Sequence, residues 1–572
     1  MLAEIPGRTT PSPTSHPQIT GNDIPDDVWR IIVRLVSLGG SVTQYMGVNR
    51  TFYNCALDRR YREVRWVVLD QDFVKQLDCL QSPPIAQRVH TLHIRAWFIQ
   101  YLLKRDILFN SPSSPHKTKS TLMDSLLSIS STLGLDPFFK SRGWMLQHED
   151  EQSKDSPLSF EATITSMIKA VEGMTNVVEL NFEWRDLPLN KDTLMFLIST
   201  KRAFDNSLRK LTLRAPISKF RALLRNTNFG NIEELDFHFD YQTGHTSETS
   251  DPDVQNLLDT IIPFINQRRS SLQSLTISSS SSTDLSSFFS ALPSDLRSLR
   301  RFGVDISFHQ DFLSNPNGII QFLESCAISL RHVSLLANWE HTHFGSVPKS
   351  QSADNSHVVM SNENNINTQS DNKPWVRMNN LLLAHPTCLS SLRSLQIPFI
   401  SLGKTIPLVR RSSDTLTRLH LMGRYLTKNE VAEVVGLFSH RSLEFQHLEL
   451  AVALLDYALL LTMATGLPDL ISLVLIFEKY NDVLRFERST VPRRIVTLLP
   501  FLKVLLSILT RGFFGLTKFS LKTSKASPEN LYINISRFCL EIVGIREPAI
   551  FEIRNLRTAI CQVFSLVLVS EI

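Results

Sequence analysis

The 572 residues predict an α/β chain: a small N-terminal helical module followed by a long stack of strand-bearing repeats with a parallel strand ladder. Three observations carry this expectation. An apolar pattern L-x-x-L-x-L recurs twelve times, most copies lie 24 to 31 residues apart, and a stretch of helical periodicity precedes the first copy. The clearest copies start at Leu208, Leu272, Leu392, Leu416 and Leu470, and looser ones at Val89, Val177, Ile232, Leu299, Leu330, Phe445 and Leu516. The last three positions alternate, so a strand sends both leucines into a core and its remaining side chains toward solvent.

Taken in order, residues 1–21 are rich in Pro, Ser and Thr and read as a disordered lead. They have no basic start followed by an apolar run, so they do not read as a secretory signal. From residue 22 to 68 the spacing is helical. Val28, Ile31, Ile32, Leu35 and Val36 mark one apolar face, Asp23 or Asp26 caps its start, Pro25 suits the first turn and Gly39-Gly40 ends it. A second helical stretch places Val42, Tyr45, Met46, Val48, Phe52 and Ala56 on its buried side. A module of about 45 residues is near the lower limit of what one core stabilises, so its apolar surface needs a neighbour or a partner.

Residues 69–572 form the repeat stack, with insertions expected at about 110–158, 240–253 and 341–373. The step from Val333 to Leu395 spans about two periods, and the step to Phe519 leaves room for an irregular repeat around 495–509. Between strands, apolar i, i+3, i+4 spacing predicts helices at 193–198, 219–224, 254–265, 319–323, 430–438 and 457–465. The outward strand residues are the target-binding candidates: Glu179, Asn181 and Glu183, then Lys210, Thr212 and Arg214, then Glu234, Asp236 and His238, with Arg418, His420 and Met422 further on. Their signs alternate from repeat to repeat, which suits a protein of mixed charge better than a nucleic-acid backbone.

The composition excludes several function classes. Net charge is +5 with acids nearly matching bases, so no global field recruits a polyanion and no nucleic-acid partner is expected. The most lipophilic stretch, 451–477, is broken by Asp456, Pro468 and Asp469, so no membrane span is expected. Six cysteines without CxxC spacing read as reduced thiols packed as small apolar groups, which points to cytosol or nucleus. No Gly-rich phosphate loop and no G-x-S-x-G elbow is present. His341 and His343 beside Glu340 lack a second ligand group, so catalytic residues, metal and cofactors are all expected to be none. The basic run 59–65 reads as a solvated helix face with Glu63 as its internal partner.

The segment IPDDVWRIIVRLV followed by VTQYMGVNRTFYNCAL resembles an F-box, a Leu-Pro start, an acidic pair, an amphipathic helix and a V-x-R-x-[FW] stretch. Ile24 stands for the opening Leu, while Pro25, Asp26 and Asp27 are kept and Val48, Asn49, Arg50 and Phe52 match the second part. Trp29 and the Gly39-Gly40 pair depart from the usual form. The repeats resemble the irregular, ribonuclease-inhibitor-like leucine-rich repeats found with F-boxes, and most copies lack the Asn that usually follows the leucines. The resemblance implies a substrate receptor of an SCF-type cullin-RING ubiquitin ligase, non-catalytic itself. A Skp-family adaptor, and through it a cullin, would dock on Ile24, Pro25, Val28, Ile32, Leu35, Val48 and Phe52, some of which must instead hold the module together. The alternative is a repeat scaffold outside any ligase, with the helical module as a terminal cap.

Overall fold

The computed structural model describes residues 24–39, 42–96, 99, 102–103, 106, 159–184, 189–225, 229–240, 251–337, 374–441, 444–480, 518–523 and 533–534. The first helices are α1 (Asp26–Gly39), a 3-10 turn at Val42–Tyr45, and α2 (Arg50–Tyr61). α1 starts where Pro25 frees its carbonyl to accept from the amides of Val28 and Trp29, and Asp26 and Asp27 place negative charge in the first turn. Asn49 caps α2 by accepting from the Phe52 amide at 2.9 Å.

Fourteen described strands form one sheet in chain order. They are β1 (Glu63–Trp66), β2 (Thr91–Arg95), β3 (Glu179–Glu183), β4 (Lys210–Pro216), β5 (Glu234–Asp240), β6 (Ser274–Ser279) and β7 (Arg301–Ile306). Then follow β8 (His332–Ala337), β9 (Ser394–Pro398), β10 (Arg418–Leu426), β11 (His447–Leu455), β12 (Ser472–Tyr480), β13 (Lys518–Thr523) and β14 (Ile533–Asn534). Every pairing from β1 to β13 is parallel, and β14 closes antiparallel on β13. The motif sets the register. Leu92 faces Leu180, Leu180 faces Leu211, Leu211 faces Leu235, and the same position is matched at each later step to Leu473 facing Phe519.

Helices run between the strands: α3 (Gln71–Leu80), α4 (Pro83–Ala86), α5 (Phe160–Gly173), α6 (Lys191–Phe204) and α7 (Ile217–Leu224). α8 (Asp251–Asn256) continues through a π turn at Leu257–Ile261 into α9 (Ile262–Asn266), where Pro263 offers no amide to a regular helical ladder. The rest are α10 (Ser286–Ser290), α11 (Asn317–Ser325), α12 (Pro374–Ala384), α13 (Leu402–Ser412), α14 (Lys428–Gly436) and α15 (Tyr457–Gly466). Five of these starts are fixed by side-chain caps: Asp70, Ser159, Asn190, Thr427 and Asp456 each accept from the amide three residues on. All six predicted helices are present, several of them longer than their apolar spacing marks.

Alternate residues of each strand are buried, and with one side of the helices they form a single core running from Tyr61 to Phe477. Phe237 of β5, fully buried, meets Phe220 of α7 and Phe264 of α9 edge-on at 5.7 and 6.3 Å. Burying each such side chain contributes about 1.5–3 kcal/mol.

Two polar ladders join neighbouring repeats. The carbonyl two residues before the second apolar position accepts two amides of the next strand: Arg62 from His90 and Thr91, His90 from Val178 and Glu179, and so on to Gln446 from Ile471 and Ser472. The residue before the first apolar position is often Ser, Thr or Asn and donates to a carbonyl of the preceding repeat. Ser207 reaches Val177 at 2.7 Å, Ser271 reaches Ile232 at 2.9 Å and Thr415 reaches Leu392 at 2.7 Å. These bonds satisfy backbone oxygens that a fully apolar turn would leave unpaired.

Several expectations are corrected. The sheet begins earlier than the motif copies suggest, because the basic run 59–65 ends in β1, whose Val64 and Trp66 are fully buried. Glu63 does pair with Arg65, at 2.5 Å, but on a strand and not on a helix face. β8 pairs directly with β9 and β12 with β13, so neither long step inserts a further strand between its neighbours. The loop expected to end at 253 ends by 250, since Asp251 opens α8. The lead 1–21, the insertions 110–158 and 341–373, the segment 495–509 and the histidines 341 and 343 lie outside the described residues.

Candidate interaction surfaces

The N-terminal module has a core of its own: Val33, Val42, Phe52 and Ala56, with Trp29, Ile32, Met46 and Cys55 packed partly against it. Trp29 and Tyr45 approach the Phe52 ring at 5.8 and 6.0 Å. Thr51 donates to Asp26 at 2.8 Å, tying the start of α1 to the start of α2. Arg88 holds α2 against the sheet by donating to the Asn54 carbonyl and side chain and by pairing with Asp58.

The expected single apolar face of α1 is in fact two faces. Trp29, Ile32 and Val33 turn toward the module's core and Val36 is half-buried, while Val28, Ile31 and Leu35 turn outward at 43, 59 and 61% exposure. Val48 and Tyr45, expected inside, are exposed at 55 and 41%, because α2 starts only at Arg50 and the segment before it is a turn. Of the adaptor-binding candidates, Pro25, Val28, Leu35 and Val48 are therefore exposed, Ile24 and Ile32 are half-buried, and Phe52 is buried in the module. Ile31 and Tyr45, not among these candidates, are exposed as well, Ile31 on the outward side of α1 and Tyr45 at the end of the 3-10 turn.

The open face of the sheet carries three rows of outward residues: a leading row before the second apolar position, a middle row between the two, and a trailing row after them. From β1 to β5 these rows neutralise themselves. Lys210 reaches Glu179 at 2.6 Å, Arg209 reaches Glu233 at 2.5 Å, Arg214 reaches Asp240 at 2.9 Å and Arg95 reaches Glu183 at 2.9 Å. His238 lies 3.1 Å from Asp236, and burial pushes the His93 imidazole below its usual range while Glu63, 3.4 Å away, opposes this. Glu183 and Thr212, expected to be open to a partner, are covered by their neighbours. Glu179, Asn181, Lys210, Glu234, Asp236 and His238 are half-exposed, and Arg214 is exposed.

From β7 to β10 the pattern changes. Arg301, His332, Ser394 and Arg418 stand in register on adjacent strands, with Arg300, Arg331 and Arg393 one residue before their rungs. Only Arg301 has a carboxylate partner among the described residues, Glu234 at 3.1 Å. The expected alternation of sign is therefore a segregation. His420 lies 3.5 Å from Glu449, and Met422 is half-exposed beside Gly423, whose φ of 97° opens an irregularity in the register of β10 with β11.

Among the described residues no group of three or more His, Cys, Asp or Glu is placed to hold a metal ion, and no helix is long and apolar enough to cross a membrane. Cys326 and Cys388 are buried, and burial pushes the Cys388 thiol up to about 12. Compared with known proteins, the chain matches no family model and no curated protein.

Proposed function

We propose that the chain is the substrate-recognition subunit of an SCF-type cullin-RING ubiquitin ligase, its N-terminal module gripping a Skp-family adaptor and its strand face holding a target protein. The observation that carries this reading is the outward row Val28, Ile31 and Leu35 on α1, with Tyr45 and Val48 also exposed in the same module, whose own core consists of Val33, Val42, Phe52 and Ala56. Apolar surface of this kind, contiguous along one helix, is the mark of a docking site. The F-box resemblance names the adaptor that fits it. The chain contributes no chemistry under this reading. It raises the local concentration of an acceptor lysine near a ubiquitin-charged enzyme bound elsewhere in the complex.

A repeat scaffold outside any ligase is the second reading. It is favoured by the way Arg88 and Tyr61 bind α2 to the sheet, as a terminal cap requires. Co-purification from cells separates the two. A receptor retains a Skp-family adaptor and a cullin, and the double substitution Val28→Asp, Leu35→Asp releases both. Retention of neither by the unsubstituted chain contradicts the receptor reading.

A further inference from the structure

We propose that the leading edge of β7–β10 is a docking site for a short, extended, anionic segment of a partner protein. This deepens the receptor reading by giving the chemistry of the target, and it rests on that reading only for the identity of the partner.

Parallel strands lie about 4.8 Å apart, so the rungs of Arg301, His332 and Arg418 span three inter-strand steps, or about 14 Å. Arg393 adds a further guanidinium beside Ser394, and neither it nor Arg418 has an ion-pair partner among the described residues. Their closeness shows in His332: burial first, then Arg301, Arg418 and Arg393, hold its imidazole below the usual range. Unneutralised like charges this close raise the energy of the free protein, and an anionic ligand relieves it.

The floor next to this row suits a peptide backbone. Gly303 stands in register between Thr276 and Ser334 in the middle row, so the sheet bears only small side chains there from β6 to β8, and Gln396 and His420 continue the row on β9 and β10. An extended chain laid across β6–β10 would send alternate side chains toward the guanidiniums. At about 3.3 Å per residue, four or five residues match the patch. The length argues against nucleic acid. Toward β5 and β3 the carboxylates Glu234, Glu233 and Glu179 are paired with Arg301, Arg209 and Lys210, so among the described residues no unneutralised positive row continues there for a longer polyanion to follow.

Fluorescence anisotropy on the full chain, without adaptor, tests this with four probes: a peptide bearing a central Glu/Asp tetrad, the same peptide with two phosphoserines in the tetrad, its alanine version, and a thymidine oligonucleotide. Either anionic peptide should bind at least about tenfold more tightly than the alanine version, and the stronger of the two identifies the source of the charge. The pair Arg393→Glu, Arg418→Glu should remove that difference, while Arg59→Glu, Arg60→Glu on α2 should leave it unchanged. Equal binding of the anionic and alanine peptides overturns the proposal, and so does tighter binding of the oligonucleotide. Because adaptor binding is not part of the measurement, failure here leaves the adaptor reading standing.

Discussion

The N-terminal helices and the strand ladder solve the same burial problem with opposite success. In the ladder each strand and helix covers its neighbour, and one core runs unbroken from Tyr61 to Phe477. In the module's own core four side chains are buried, while six large apolar ones among the described residues stay in solvent: Val28, Ile31, Leu35, Tyr45, Val48 and Tyr53. Repeats stabilise each other, whereas a two-helix unit cannot cover both faces of α1 with its own residues. The surplus surface is where a partner has most to gain.

Substitutions break this comparison to different degrees. Phe237→Ala should cost the most, about 3–5 kcal/mol by chemical denaturation, since it empties a site walled by Phe220 and Phe264 in the continuous core. Phe52→Ala removes the centre of the small core and should cost about 2–4 kcal/mol locally. Hydrogen exchange should then show 26–61 opening while the amides of β4–β7 keep their protection; loss of protection in both would mean the two regions fold as one.

Thr415→Val tests the rungs between repeats. Losing its bond to the Leu392 carbonyl should cost about 1 kcal/mol, read as a shift in the denaturation midpoint. Glu430→Gln should cost a similar amount or less. Burial raises the Glu430 carboxyl, but hydrogen bonds from Arg424 and Thr427 outweigh this and hold it below the ordinary carboxylate range. A depressed carboxyl lends stability above its unfolded pKa and loses it as the pH falls through the folded value. The gap between parent and variant should therefore be full at neutral pH and close on acidification. Leu35→Asp should move stability least, within about 0.5 kcal/mol, because that side chain touches mainly solvent.

The ladder was legible because one apolar position per repeat, from Leu92 to Phe519, fixes both the strand and its register. β1 escaped because its two inward residues, Val64 and Trp66, sit among charges in a strand of four residues. β14 is shorter still. The Ser, Thr or Asn before the first apolar position was visible at Ser207, Ser271 and Thr415, yet its partner is a carbonyl one repeat away, which spacing alone does not reveal. On α1, periodicity found the apolar residues but could not assign the covered face, since Val33 and Leu35 differ only in what α2 places against them. The basic row was hidden for a related reason. Arg301 and Arg418 are 117 positions apart in the chain and share one row only because β7 to β10 pair in register.

Whether the uncovered face of α1 binds an adaptor separates a receptor from a scaffold. Hydrogen exchange of the full chain, alone and with a purified Skp-family adaptor, reads this directly. A receptor should show slowed exchange confined to 26–61 and abolished by Val28→Asp, Leu35→Asp, with the ladder unchanged. Identical exchange with and without the adaptor would contradict the receptor reading.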